Sequence, residues 1–200
     1  MIAFARNRLN ARFGTWRGLV RLLLAHAERA TGRLRRFELH EPQSVRRVVF
    51  VCQGNICRSA YAEQVARAAG LHTASLGLST TTGAASPAPA LAAAARKQMP
   101  MDAHRACDWE DFPLQPGDLL LAMEVRQVHE LTRRLGGRTD VQVALLGNWC
   151  SPPTPHLHDP FTLSDAYFDT CFIRVRQAVE RLTHDVPNAR AVPAQKRGQR

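Results

Sequence analysis

The 200-residue sequence has no run of about 18 apolar residues, so it offers no membrane-spanning helix. Its most apolar N-terminal stretch, Leu19 to Ala27, is broken by Arg21 and His26. No small-residue cleavage site follows that stretch, and a secretory signal is not expected. Cysteines are few and odd in number: Cys52, Cys57, Cys107, Cys150 and Cys171. A scattered odd set argues against a disulfide framework and fits a reducing cytoplasm. There is no C-x2-C pair. His156 and His158 lie near Cys150, but Pro152, Pro153 and Pro155 crowd that loop, and the usual ligand spacing is missing. Neither a metal nor a cofactor is expected. No internal repeat is present.

What the sequence has is positive charge, net +10, unevenly placed. Residues 1–47 carry +8 and residues 186–200 carry +4, while residues 48–185 carry −2. Basic ends invite a nucleic-acid or membrane partner. No recognition fold and no interleaving of aromatic with basic residues accompanies them, so nucleic acid is not expected as a partner. Hydrophobic residues make up 45% of the chain, enough for a sizeable core.

Residues 9–34 repeat at helical spacing, with Leu9, Phe13, Trp16, Val20, Leu23, Leu24, Ala27 and Leu34 on one stripe and six arginines off it. Three readings stay open for this amphipathic extension: it lies on an anionic membrane, apolar stripe down; it packs on the following domain or a partner subunit; or it is largely disordered. Glu41 to Ser44 reads as a linker, dividing the extension, 1–44, from a domain over 45–184. A basic, disordered tail is expected over 185–200.

The body alternates strands and helices. Strands are expected at Val45–Cys52, Thr73–Leu78, Asp118–Met123 and Val141–Leu146. Helices are expected at Ala60–Ala69, Ala90–Gln98, Val125–Leu135 and Ser164–Thr183. This alternation implies an α/β fold: a doubly wound, four-stranded parallel sheet with helices on both faces. In such sheets ligands bind beyond the carboxyl ends of the strands.

At the end of the first strand stands Cys52-Gln53-Gly54-Asn55-Ile56-Cys57-Arg58-Ser59, followed by a helix. The strand delivers Cys52 to the ligand edge. A tight curl after it turns successive N–H groups inward as an anion nest, with Gly54 and Asn55 as residues that tolerate left-handed dihedrals. The helix N-terminus aims its positive end at the same spot, and Arg58 adds a fork matched to phosphate oxygens. Each of these favours thiolate over thiol at Cys52. A nucleophile in a phosphate-shaped cradle implies catalysis through a phosphocysteine.

This loop resembles the signature of the low-molecular-weight protein tyrosine phosphatases. The resemblance extends through Ala62-Glu63, Ser75, His104-Arg105, Met123 and Asp159-Pro160-Phe161, over about residues 46–183. Leu146-Gly147-Asn148-Trp149 is similar to the bacterial branch linked to capsule and exopolysaccharide export, which acts on tyrosine autokinases. The resemblance implies Cys52 as nucleophile, with Arg58 and the N–H groups of Gln53, Gly54, Asn55, Ile56 and Cys57 as phosphate binders. It implies Ser59 as a hydrogen-bond donor to the sulfur and Asp159 as the acid that protonates the leaving oxygen. Ser75, His104 and Phe161 would support the site. A phosphotyrosine protein is the implied partner, in the cytoplasm or at the inner membrane.

Ile56 matches the tyrosine-directed members; arginine-phosphate phosphatases of the family usually carry Thr there. Thioredoxin-coupled arsenate reductases share the loop but need two further cysteines a few residues apart, and Cys107, Cys150 and Cys171 are too widely spaced. A phosphotyrosine-binding module without catalysis is a further alternative, opposed by the joint presence of Cys52, Arg58 and Asp159. The sequence departs from the family at Ala60, at Glu124 and in lacking an aromatic over Ser79–Ala85. Cys57 reads equally as a buried inert thiol or as a partner for a reversible disulfide with Cys52. His156 and His158 read as solvated loop residues, either able to tune Asp159.

Overall fold

The computed structural model describes residues 2–191, with side chains from Arg6 onward. Four strands form one parallel sheet: β1 (Arg47–Cys52), β2 (Thr73–Gly77), β3 (Asp118–Ala122) and β4 (Gln142–Leu145), in the order β2-β1-β3-β4. Every residue of β1 and of β3 is buried, as expected of parallel strands covered on both faces. Six helices accompany the sheet: α1 (Ile2–Phe13), α2 (Trp16–Ala30), α3 (Arg58–Ala68), α4 (Ala88–Arg96), α5 (Val125–Leu135) and α6 (Asp165–Asp185).

Alternation along β1 and β3 assigns side chains to two cores. Val48, Phe50, Leu119 and Leu121 pack with α3, α4 and the apolar face of α6, where Tyr61 stacks on Phe172 at 4.1 Å between ring centroids. Val49, Val51, Leu120 and Ala122 pack on the other side with Val128, Leu131 and Leu135 of α5. Leu34 and Phe37, just after α2, close that second core. The expected doubly wound architecture is therefore present, with helices on both faces. The strand order reverses between β1 and β3, and the carboxyl ends of those two strands open a crevice.

Two sequence expectations need correction. Residues 9–34 form two helices rather than one. Gly14, at φ +79°, breaks the chain, and Thr15 caps the start of α2 by accepting from Gly18 N–H at 3.0 Å. The face of α2 turned to the body carries the buried Gly18 and Ala25, while Trp16, Val20, Leu23 and Leu24 point outward. Second, order does not stop at residue 185. Val186 and Ala189 are buried, and Ala189 O accepts from His72 N–H at 2.8 Å while Ala191 N–H donates to Gly70 O at 2.9 Å. The remainder of the expected tail, 192–200, lies outside the described residues.

Candidate active site

The loop between β1 and α3 sits at the crevice. Its carbonyls are drawn outward: Cys52 O accepts from Leu78 N–H (3.0 Å), Gln53 O from Ser79 N–H (3.0 Å), Gly54 O from Thr80 Oγ1 (2.8 Å) and Asn55 O from His104 Nε2 (2.7 Å). A peptide whose oxygen faces out presents its N–H inward, so the loop becomes an anion nest at the first turn of α3. Of the two residues expected to take left-handed dihedrals, only Asn55 does, at φ +52°. Gly77 was missed by sequence reasoning. A Cβ there would lie 3.0 Å from Gln53 O and 2.8 Å from Thr80 Cγ2, so its bareness lets β2 and the loop approach.

Asn55 is the keystone of the loop. Its Nδ2 donates to Ser59 Oγ and Ser75 Oγ, both at 2.8 Å, and its Oδ1 accepts from Cys107 N–H at 2.9 Å. Ser75 Oγ donates in turn to Glu63 Oε2 at 2.6 Å, and Glu63 is held by Arg67. Ser59 Oγ lies 3.0 Å from Cys52 Sγ, and Asn55 N–H donates to the same sulfur at 3.3 Å. Because Ser59 Oγ already accepts from Asn55, its hydrogen is left for the sulfur. The structure thus brings Cys52, Asn55, Ser59, Ser75 and His104 into one buried network.

Arg58 is fully buried. Its Nη1 donates to Glu124 Oε1 (2.6 Å) and to Leu157 O (2.9 Å). Nη2 is in ion-pair contact with Asp159 Oδ2 at 2.7 Å, without the alignment of a hydrogen bond, and Nε has no hydrogen-bond partner. One nitrogen therefore anchors the fork, Nη2 meets Asp159, and Nε is left unpartnered. Burial works against the guanidinium charge, but Asp159, Glu124 and Cys52 more than offset it and keep Arg58 cationic. Burial likewise opposes the Glu124 charge, yet Arg58 and Arg126 drive its carboxyl down to about 2. Glu124 also caps α5 through a reciprocal box with Gln127. In the sequence this residue was visible only as an unexplained departure after Met123.

Asp159, about one-third exposed, faces this fork from the loop that follows β4. Cys52, Gln53, Gly54, Ile56, Cys57, Asp159 and Phe161 line one cavity of about 210 Å³. Phe161 is half exposed at its mouth. Burial, with the nearby Asp159 and Cys52, pushes the Cys57 thiol far up, which favours the inert reading over the disulfide. His156 and His158 are not solvated, contrary to expectation. His156 is buried, and His158 is packed against α2.

The chain matches the family described as low molecular weight phosphotyrosine protein phosphatase over residues 47–192. It belongs to that family. Low-molecular-weight phosphatase relatives include Wzb of Escherichia coli K12, a protein-tyrosine-phosphatase 30% identical over 125 residues, 60% of this chain and 84% of Wzb. The tyrosine phosphatase amsI of Erwinia amylovora has a similar structure, with a TM-score of 0.59 at 25% identity, covering 74% of this chain and 95% of its own. The fold is also shared by the YwlE arginine phosphatase of Geobacillus stearothermophilus, with a TM-score of 0.62 at 21% identity over 71% of this chain and 93% of that one. The enzyme is thus a low-molecular-weight phosphatase with a helical segment, residues 2–46, ahead of the matched region.

Proposed function

We propose that this phosphatase hydrolyses phosphotyrosine through a phosphocysteine. The observation that carries the reading is the meeting of Cys52 and Asp159 at one cavity, with Arg58 Nη2 2.7 Å from the Asp159 carboxyl. The phosphoryl oxygens sit on the loop N–H groups and on Arg58 Nε and Nη2, where charge develops in the transition state. Cys52 Sγ attacks phosphorus, the P–O bond to the aryl group breaks, and the proton of Asp159 goes to the departing oxygen. Water then attacks phosphorus, Asp159 takes a proton from it, and the S–P bond breaks with Ser59 hydrogen-bonding the released sulfur. Asn55, Ser75 and His104 keep the loop in shape, and Glu124 keeps Arg58 in place.

Cys52→Ser is expected to abolish aryl phosphate hydrolysis while phosphate analogues still bind; substantial residual turnover would sink the reading. The substrate class is tested by turnover of phosphotyrosine, phosphoserine and phosphoarginine peptides, with arsenate reduction as control. Ile56 favours phosphotyrosine. The arsenate reductase reading is not favoured: burial raises the thiols of Cys107, Cys150 (to about 11) and Cys171 (to about 12), leaving no ready relay of thiolates.

The partner we assign is a tyrosine autokinase of polysaccharide export, in keeping with the similarity to Wzb, and the location is cytoplasmic, at the inner membrane face. No helix among the described residues is long and apolar enough to cross a membrane. Of the six large apolar side chains exposed among the described residues, four (Trp16, Val20, Leu23, Leu24) lie on α2. Exposed Arg17 and Arg21 flank them, the pattern of a helix lying on anionic lipid. Vesicles containing anionic lipid are expected to retain the wild type and to release Trp16→Ser/Leu23→Ser/Leu24→Ser. Equal retention of both removes the membrane reading.

A further inference from the structure

Asp159 stands two residues after Leu157, whose backbone is held on both sides. Leu157 N–H donates to Met123 O at 2.9 Å, and Leu157 O accepts from Arg58 Nη1. The next residue, His158, is held from outside the matched phosphatase region. Its ring lies in a saddle made by the α1–α2 junction. A Cβ on Gly14 would come within 2.7 Å of His158 Cδ2, and one on Gly18 within 2.8 Å of the same atom. Only bare backbone fits at those two positions. Thr15 Oγ1 lies 3.2 Å from His158 Nε2, and the carbonyl of His158 accepts from Tyr167 Oη at 3.1 Å. Tyr167 also packs on the saddle, since its Cε1 would be 2.8 Å from a Cβ on Gly14. The junction itself is fixed to the body, because Thr170 Oγ1 on α6 donates to Ala11 O at 2.7 Å.

The hold on His158 is one peptide away from Asp159. Its carboxyl is part-exposed and has one charged protein partner in the site, Arg58 Nη2, which the proposed reaction gives over to phosphate. Once that contact is exchanged, the direction of the side chain depends on the backbone on either side of it: Phe161 N–H, which donates to Oδ1 at 3.2 Å, and the residue before it, His158. We propose that Gly14, Thr15 and Gly18 are positioning residues for Asp159, acting through the His158 ring. The segment ahead of the phosphatase region is then part of the machinery that aims the acid. This rests on the reading of Asp159 as general acid.

The test uses the full chain and compares kcat/KM on phenyl phosphate, whose leaving group needs a proton, with 2,4-dinitrophenyl phosphate, whose leaving group does not. Gly14→Ala is expected to lower the first by about 10- to 100-fold and to leave the second within about threefold, the pattern of a misaimed acid. Thr15→Val should do the same to a smaller degree, about fivefold on phenyl phosphate, and Thr15→Ser should restore the wild-type ratio. Thr15→Val also removes the cap of α2 and lowers the unfolding midpoint, so the leaving-group ratio is what separates aim from stability. In an Asp159→Ala background these substitutions should cost nothing further on phenyl phosphate. Equal losses on both substrates, additive losses in that background, or no loss on either would each overturn the proposal. Should Gly14→Ala fail to fold, Thr15→Val and His158→Ala carry the same comparison. Failure of the acid reading itself would look different: Asp159→Ala alone would leave phenyl phosphate turnover intact.

Discussion

Two loops make this site, and they are held in opposite ways. The phosphate loop is braced by its own surroundings: Asn55 reaches Ser59 and Ser75, and its outward carbonyls meet residues 78–80 and His104. The acid loop is gripped at its edge, by Arg58 on one side, 99 residues away in sequence, and by α1–α2 on the other, 143 residues away. A phosphate cradle must be rigid, since it preorganises charge. An acid must face a different atom in each step, and a looser hold on a few points suits that work.

Leaving-group dependence distinguishes the two loops. Asp159→Ala should reduce kcat/KM on phenyl phosphate by ~10²–10⁴-fold and on 2,4-dinitrophenyl phosphate only slightly. Equal loss on the two would remove the acid role. Asn55→Ala should reduce both by about 10²-fold, because it distorts the cradle under every leaving group. A selective loss on phenyl phosphate would erase the distinction between the loops.

Groups at the two loops also respond to acid. Burial, partly offset by Glu124, lowers His156 from 6.5 to about 4. Between those values the unfolded chain binds the extra proton, so stability is complete above pH 6.5 and falls as pH drops towards 4. The loss is about 2–3 kcal/mol, read from urea unfolding across that window, and His156→Leu should flatten it. Glu124, lowered to about 2, acts in a separate window: its contribution is present above about 4.5 and is lost towards pH 2. The smallest effect is expected on the outer face of α2. Trp16→Ser/Leu23→Ser/Leu24→Ser should leave solution turnover unchanged and stability within about 0.5 kcal/mol per site, since these side chains leave no cavity.

The phosphate loop was readable in sequence because its working residues are contiguous and its chemistry is local. The strands were readable because burial on both faces demands β-branched and apolar runs, and β1 and β3 supply them. Asp159 was singled out only through resemblance, since a lone carboxylate in a proline-rich loop carries no local mark. The break at Gly14-Thr15 did have a signal, a glycine before a capping threonine, but the apolar stripe running through it concealed the pause. That stripe also misled on packing. Amphipathicity tells which face of a helix is apolar, not which face meets the body; Gly18 and Ala25 meet it, and at Gly18 the His158 ring leaves no room for a Cβ. Likewise, two apolar residues in a polar tail, Val186 and Ala189, suffice to dock it, a density too low to read by pattern.

The contact between Arg58 Nη2 and Asp159 Oδ2, 2.7 Å in this structure, has a bearing on product release. A buried guanidinium stripped of its counter-ion is costly. Glu124 holds Nη1 throughout, and in the proposed cycle Nη2 is never left without an anion either: the Asp159 carboxylate holds it before substrate arrives, phosphate replaces the carboxylate, and the carboxylate returns as phosphate leaves. The acid is thereby also a competitor for the seat of the product, and inorganic phosphate should inhibit less than the depth of the cradle implies. Tight binding of the transition state and easy departure of what remains are reconciled by one side chain that changes places with its own product.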